Sequence, residues 1–202
     1  MKLPFIAIKT EENQEDIYEY LKKNNFSTLD KFDKIALHKK IDLMLTKLIN
    51  FTKLTFDEKK MILEWRNNQS IKKWMYNRDE ISLENHLSYI ESLNSREDRV
   101  YFLVKDKKNY IGVVDLTDIQ KGIKAELGIY INPMLKGYGT LLMSKIIDYS
   151  FNKLYLKVLQ ANVYEDNIKA INLYKKFNFR IVNSTKDING VLQNMELINE
   201  NR

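Results

Sequence analysis

The sequence predicts an α/β (α+β) fold, a mixed central sheet flanked by helices and preceded by an N-terminal αβ extension. Three observations carry this reading. First, stretches with apolar residues at i, i+3 and i+4 spacing interleave with short runs rich in Val, Ile, Tyr and Phe. Second, the 202 residues, 44% hydrophobic with twelve Tyr and nine Phe, suffice for one ample domain plus an appendage. Third, a strand-like run over 126–131 passes through Asn132-Pro133 and Lys136-Gly137-Tyr138-Gly139-Thr140 into an amphipathic helix over 141–151.

Residues 3–9 read as a short strand. A helix over 11–24 has acids in its first turn and Ile17, Tyr20 and Leu21 on one face, and Asn24-Asn25 ends it. Residues 26–29 read as another strand, and 34–48 as a helix with Ile35, Leu37, Ile41, Leu45 and Leu48 on or near one face. These elements form the extension, residues 1–50, ahead of a main domain over 51–199. There Thr52-Lys53-Leu54 reads as a strand, followed by helices over 57–67, 71–76 and 83–93. Met61, Ile62 and Trp65 face inward on the first, and Ser82 caps the third. Strands over 100–106 and 110–117 are joined by Lys107-Lys108-Asn109, and 123–131 is a third. After the helix over 141–151 come a strand over 156–163, a helix over 167–176 and closing strands over 179–183 and 191–198.

Composition narrows the chemistry. The chain has no Cys, which excludes disulfides and thiolate metal sites and fits a reducing compartment. With two His there is little scope for zinc, and no metal is expected. No apolar run approaches the length of a membrane span, so the chain is expected to be cytoplasmic with no membrane partner. The net charge of +6 is spread among acids rather than gathered in one stripe, so no nucleic-acid surface is expected. A modest positive field still helps recruit a polyanionic cofactor or a nucleotide-linked substrate.

A strand that feeds a glycine-bearing turn opening a helix is suited to binding an anion. The free N–H groups of the first helical turn and the positive end of the helix dipole converge on one spot. Gly137 and Gly139 let the backbone approach a phosphate with no Cβ in the way. Glycines that serve only turn geometry would look the same.

The run Met134-Leu135-Lys136-Gly137-Tyr138-Gly139 resembles the (R/Q)-x-x-G-x-(G/A) segment of the GCN5-related N-acetyltransferase (GNAT) superfamily. Both glycines match, and Met134 stands where Arg or Gln is usual. Downstream, Asn167, Ala170 and Tyr174 match that family's N-x-x-A-x-x-x-Y segment. A narrower resemblance, on Leu63-Glu64-Trp65-Arg66-Asn67, Trp74-Met75-Tyr76 and Ser82-Leu83-Glu84-Asn85-His86-Leu87, is to acetyltransferases of the pseudaminic acid pathway. Residues 5–24 loosely resemble the tail of that pathway's UDP-sugar hydrolase, as a fused remnant; an ordinary packing extension is the alternative.

The resemblance implies a GNAT fold, acetyl-CoA as co-substrate, and a pyrophosphate cradle at Lys136, Gly137, Tyr138, Gly139 and Thr140. It implies that Asn167 contacts the coenzyme arm and that Tyr174 protonates the departing thiolate. Backbone N–H groups near Ile129, Tyr130 and Ile131 would polarise the carbonyl. Alternation puts Glu126, Gly128 and Tyr130 on one face of their strand, and the resemblance makes Glu126 the base. On the acceptor side stand Arg66, Asn67, Trp74, Met75, Tyr76, His86 and Asp115. Arg66 suits a UDP phosphate. Trp74, Met75 and Tyr76 suit either a nucleotide pocket or the core, and His86 either the substrate or a partly buried helix face. Asp115 is expected to end its strand.

The implied reaction is acetylation of the 4-amino group of a UDP-linked 4-amino-4,6-dideoxy sugar, a step toward flagellin glycosylation, by a monomer or homodimer. The alternative is N-terminal acetylation of a ribosomal-type protein.

Overall fold

The structure, a computed structural model, describes residues 45–106 and 109–200. The chain divides at Leu45/Thr46 into two units, and the architecture below belongs to the second. The expected strand over 3–9, helix over 11–24, strand over 26–29 and most of the helix over 34–48 lie outside the described residues.

Seven strands form one sheet in the order β1-β2-β3-β4-β5-β7-β6. The sheet starts earlier than the sequence suggests. Lys47–Asn50 is β1, antiparallel to β2 (Val100–Asp106). Its alternation decides this: Leu48 packs into one core and Ile49 into the other. Sequence spacing instead made Leu48 the end of a helical stripe. Residues 52–54 are not a strand, because Asn50 Oδ1 accepts from Thr52 N at 2.9 Å and turns Phe51–Lys53 into a 3₁₀ helix.

Helix α1 (Phe56–Asn67) begins with a capping box in which Thr55 and Glu58 satisfy each other's backbone N–H. Helix α2 spans only Gln69–Lys72, so the expected helix over 71–76 is mostly loop. Tertiary hydrogen bonds override the helical spacing there. Asn67 bonds Ile81 in both directions, at 2.8 and 3.0 Å, and Arg66 Nη2 donates to Asn77 O at 2.6 Å. Helix α3 (Leu83–Ser92) starts at the Ser82 cap, as its sequence signals.

β2, β3 (Asn109–Gln120) and β4 (Lys124–Ile131) form an antiparallel meander. β3 continues to Gln120 through an irregularity after Thr117, so Asp115 lies mid-strand rather than at its end. Helix α4 (Gly139–Asn152) crosses to β5 (Val158–Tyr164), which pairs parallel with β4. Helix α5 (Ile168–Lys176) leads to the hairpin of β6 (Arg180–Asp187) and β7 (Gly190–Ile198).

Alternation gives the sheet two buried faces. On one, Val114, Leu116, Ala125, Leu127 and Leu159 meet Leu142, Met143 and Ile146 of α4 and Ile171 and Tyr174 of α5. On the other, Leu103 and Val113 meet Ile62, Trp65, Ile71 and Ile90 from α1, α2 and α3. Leu116 is fully buried in the first core. Leu116→Ala should therefore cost about 2–5 kcal/mol in denaturant unfolding, through lost burial and the cavity left behind. A smaller loss would show that the face can collapse around the gap.

Candidate active site

β4 and β5 pair only at Lys124↔Val158, Ala125↔Leu159 and Glu126↔Gln160. Beyond Glu126, β4 keeps its ladder with β3 up to Gly112↔Ile131, while β5 turns to β7. The sheet thus opens between β4 and β5. Asn132 N donates to Ile111 O on the β3 side at 3.0 Å. Alternation then aims the N–H groups of Ile129 and Ile131 at the opening, where ladder partners have ended. Tyr130, expected with them, instead directs its N–H to β3, and its side chain packs toward the α1–α3 core.

The turn after β4 is anchored by Asn132. Its Nδ2 donates to Tyr110 O, and its Oδ1 accepts from Met134 N, both at 3.0 Å. Gly137 has φ +87°, a left-handed conformation that a side chain would strain. Gly139 opens α4 so close to α5 that an added Cβ would lie 3.2 Å from Leu173. Helix α4 has neither a side-chain cap nor an acid in its first turn, so its leading N–H groups stay available. Lys176 of α5 reaches across to Thr140 Oγ1 at 3.2 Å and places a cation beside them. Lys136 stands exposed at the turn. Met134 is 87% exposed and contributes no charge there. The arrangement fits a phosphate held by backbone.

A polar cluster lines the other side of the opening. Glu126 Oε1 accepts from Tyr76 Oη at 2.7 Å, and Oε2 accepts from Asn162 Nδ2 at 2.8 Å. Asn162 Oδ1 in turn accepts a short hydrogen bond from Asn194 Nδ2. Asp115 pairs with Gly128 in the β3–β4 register, and a Cβ on Gly128 would overlap the Asp115 carboxylate. Burial, with Glu126 as a like charge and Arg99 opposing, pushes Asp115 up to about 7. Tyr174 is 5% exposed, packs on Phe179, and is pushed upward by burial and by the charges of Asp115 and Glu126. It therefore carries its proton at neutral pH. Asn167 caps α5, its Oδ1 accepting from Ala170 N at 3.3 Å.

The acceptor-side residues divide. Tyr76 reaches Glu126, and burial of its hydroxyl together with that carboxylate raises its pKa. Arg66 and Asn67 hold the loop over 73–82 that carries Tyr76, and Asn189 Nδ2 donates to Tyr76 O at 3.0 Å from the opposite side. Arg66 Nη1 is buried with no hydrogen-bond partner among the described residues. Met75 packs into the α1–α3 core, and Lys73 Nζ lies 4.8 Å over the Trp74 ring. His86 is not brought to the cluster: its Nε2 lies 3.0 Å from Lys59 O on α1, and burial lowers its pKa. Among the described residues no group of His, Asp and Glu could hold a metal ion, and no helix is long and apolar enough to cross a membrane.

Sequence reasoning gave Asn162, Asn194 and Gly128 no part in the site, though it placed Gly128 on the Glu126 face. The signal was present in β5, where Gln160, Asn162 and Tyr164 alternate with Leu159, Ala161 and Val163. A strand buried on both faces has no other use for an amide there than a hydrogen-bond partner.

Sheets that part at a parallel strand pair above the bare start of a helix, with a protonated phenol at the parting, are built for acyl transfer from a phosphate-bearing thioester. The class defined here is that of the GCN5-related acetyltransferases. The chain belongs to that family: its acetyltransferase (GNAT) domain matches residues 49–180. The chain is 38% identical over 143 residues to acetyltransferase PseH of Campylobacter jejuni strain 81-176, covering 71% of this chain and 90% of the relative. The crystal structure of Campylobacter jejuni PseH in complex with acetyl coenzyme A superposes with a TM-score of 0.65 at 34% identity, over 77% of this chain and all of that one. Spermidine N-acetyltransferase from Vibrio cholerae, in complex with CoA and spermine, superposes with a TM-score of 0.69 at 25% identity, over 77% and 96% of the two chains. This chain is accordingly an N-acetyltransferase.

Two outcomes follow from the polar cluster. Tyr76→Phe removes one Glu126 donor and should lower kcat while acetyl-CoA affinity, read by calorimetry, stays unchanged. Asp115 is raised in the folded state, so its share of stability is present at low pH and lost as pH climbs from about 4 to about 7. Asp115→Asn should therefore melt higher than wild type at pH 8, and the difference should vanish near pH 4.

Proposed function

We propose that the chain is an acetyl-CoA-dependent enzyme of the pseudaminic acid pathway, acetylating the 4-amino group of a UDP-linked 4-amino-4,6-dideoxy sugar. The observation that carries this is the β4–β5 opening, with an anion cradle on one side and a carboxylate–tyrosine cluster on the other. The identity to PseH over most of the chain favours the sugar over a peptide α-amine. The resemblance of residues 5–24 to the pathway's hydrolase tail is in keeping with the same pathway.

The roles follow from position. The α4 N-terminus, Gly137, Gly139, Thr140 and Lys136 hold the coenzyme pyrophosphate, and Asn167 borders its arm. The Ile129 and Ile131 N–H groups face the opening and polarise the thioester carbonyl. A carboxylate of the Glu126–Asp115 cluster takes the ammonium proton, and Tyr174 gives its proton to the leaving thiolate. Arg66, Trp74 and Tyr76 border the acceptor. Coenzyme A supplies only the activated acetyl group and its handle.

An acetyl-CoA consumption assay against UDP-amino sugars and N-terminal peptides tests the reading: turnover is expected with UDP-4-amino sugars, and turnover with peptides alone would overturn it. Tyr174→Phe should lower kcat by about 10²-fold or more with acetyl-CoA affinity nearly intact. Gly137→Glu should abolish coenzyme binding in a titration while the melting transition survives.

A further inference from the structure

We propose that Asp115 is the catalytic base, and that Glu126 is its fixed anionic neighbour rather than the proton acceptor. The inference rests on the acetyl-transfer reading of the site and assigns one of its steps.

The geometry of Gly128 comes first. Asp115 belongs to β3, yet its carboxylate occupies the space where a side chain of Gly128 on β4 would stand. The carboxylate has thus leaned one strand toward the opening, two residues beyond the last β4–β5 ladder pair. Only glycine permits this, because any Cβ would displace the carboxylate.

A base is also best served by lone pairs that no fixed donor crowds. Both Glu126 oxygens already accept hydrogen bonds, from Tyr76 and from Asn162. Asn162 is itself committed, because Asn194 donates to its Oδ1 and fixes its Nδ2 as the donor toward Glu126. Each Glu126 oxygen thus holds a fixed donor on one of its two lone pairs. Among the described residues, the Asp115 oxygens accept no hydrogen bond.

Charged and phenolic groups surround Asp115. Tyr101 stands opposite it on β2, with Arg99 just before that strand. Glu126 and Tyr130 face it from β4, Tyr174 from α5, and Arg66 lies near Tyr101 and Tyr130. The Glu126 charge makes Asp115 more willing to take a proton, and Arg99 opposes this. The pair of carboxylates also favours an acceptor that arrives as its ammonium.

One N–H bond of the ammonium breaks and its proton goes to Asp115. The freed lone pair forms the C–N bond to the thioester carbon, and the C–S bond breaks with its electrons on sulfur. Tyr174 protonates that sulfur and recovers a proton from the nitrogen, leaving a neutral amide. Asp115 releases its proton to solvent.

The test is the pH dependence of kcat/KM with acetyl-CoA and a UDP-4-amino sugar. Wild type should show an acid limb near pH 7. Glu126→Gln removes a like charge, so the limb should persist and move to lower pH. Asp115→Asn should lower kcat by about 10²-fold or more and leave a rate that simply tracks the free-amine fraction, with acetyl-CoA affinity unchanged. Retention of the limb in Asp115→Asn, or its loss in Glu126→Gln, would overturn the assignment. The Glu126→Gln arm decides alone if Asp115→Asn does not fold. No turnover by wild type would overturn the acetyl-transfer reading, and the assignment of Asp115 with it.

Discussion

The brevity of the β4–β5 ladder is the constraint on which the rest depends. Parallel strands ordinarily hide both edges from solvent, and exposed N–H and C=O groups in their midst are costly. Here the ladder stops at Glu126↔Gln160, and β5 finds its full partner in β7 instead. On the proposed reading, a ligand in the opening supplies the missing partners. On the same reading, a thioester carbonyl entering the opening meets N–H groups already oriented by β3, so little reorganisation accompanies reaction.

The opening separates two chemistries. The face bearing α4 and α5 is mostly apolar, and it delivers the uncapped helix start proposed to hold phosphate. The face bearing α1, α2 and α3 brings Tyr76, Asp115, Glu126 and Asn162 to the same gap. On the proposed reading, the donor and the acceptor enter from opposite faces and meet where the strands part. Distance along the sequence matters little: Tyr76 and Glu126 are fifty residues apart and linked by one hydrogen bond.

Much of this was legible in the sequence, and the residues show why. Helices α1, α3, α4 and α5 announce themselves by a 3.6-residue period, and α3 also by its Ser82 cap, which are local signals. The glycine turn and the Glu126–Tyr130 face were legible for the same reason. β1 and the loop over 73–82 were not, because tertiary partners decide them: β2 for the first, and Asn67, Arg66 and Asn189 for the second. His86 shows the same limit, since its partner is a carbonyl on another helix. Asp115 looked like a strand-end acid until register placed Gly128 opposite it. Register is a property of two strands, and neither one spells it out alone.

Met134 shows what the cradle can do without. Where relatives by motif place Arg or Gln, this chain has an exposed apolar side chain. Two features compensate without a side chain at that position. The α4 start is left bare of caps and acids, which keeps its full positive end. Lys176, from the helix that also carries Tyr174, reaches Thr140 and adds charge from the far side. On the proposed reading, the same helix steadies the phosphate end of the donor and protonates its sulfur end. An error in the seating of α5 would disturb both ends together, and the contact of Gly139 with Leu173 ties α5 to α4 at the turn itself.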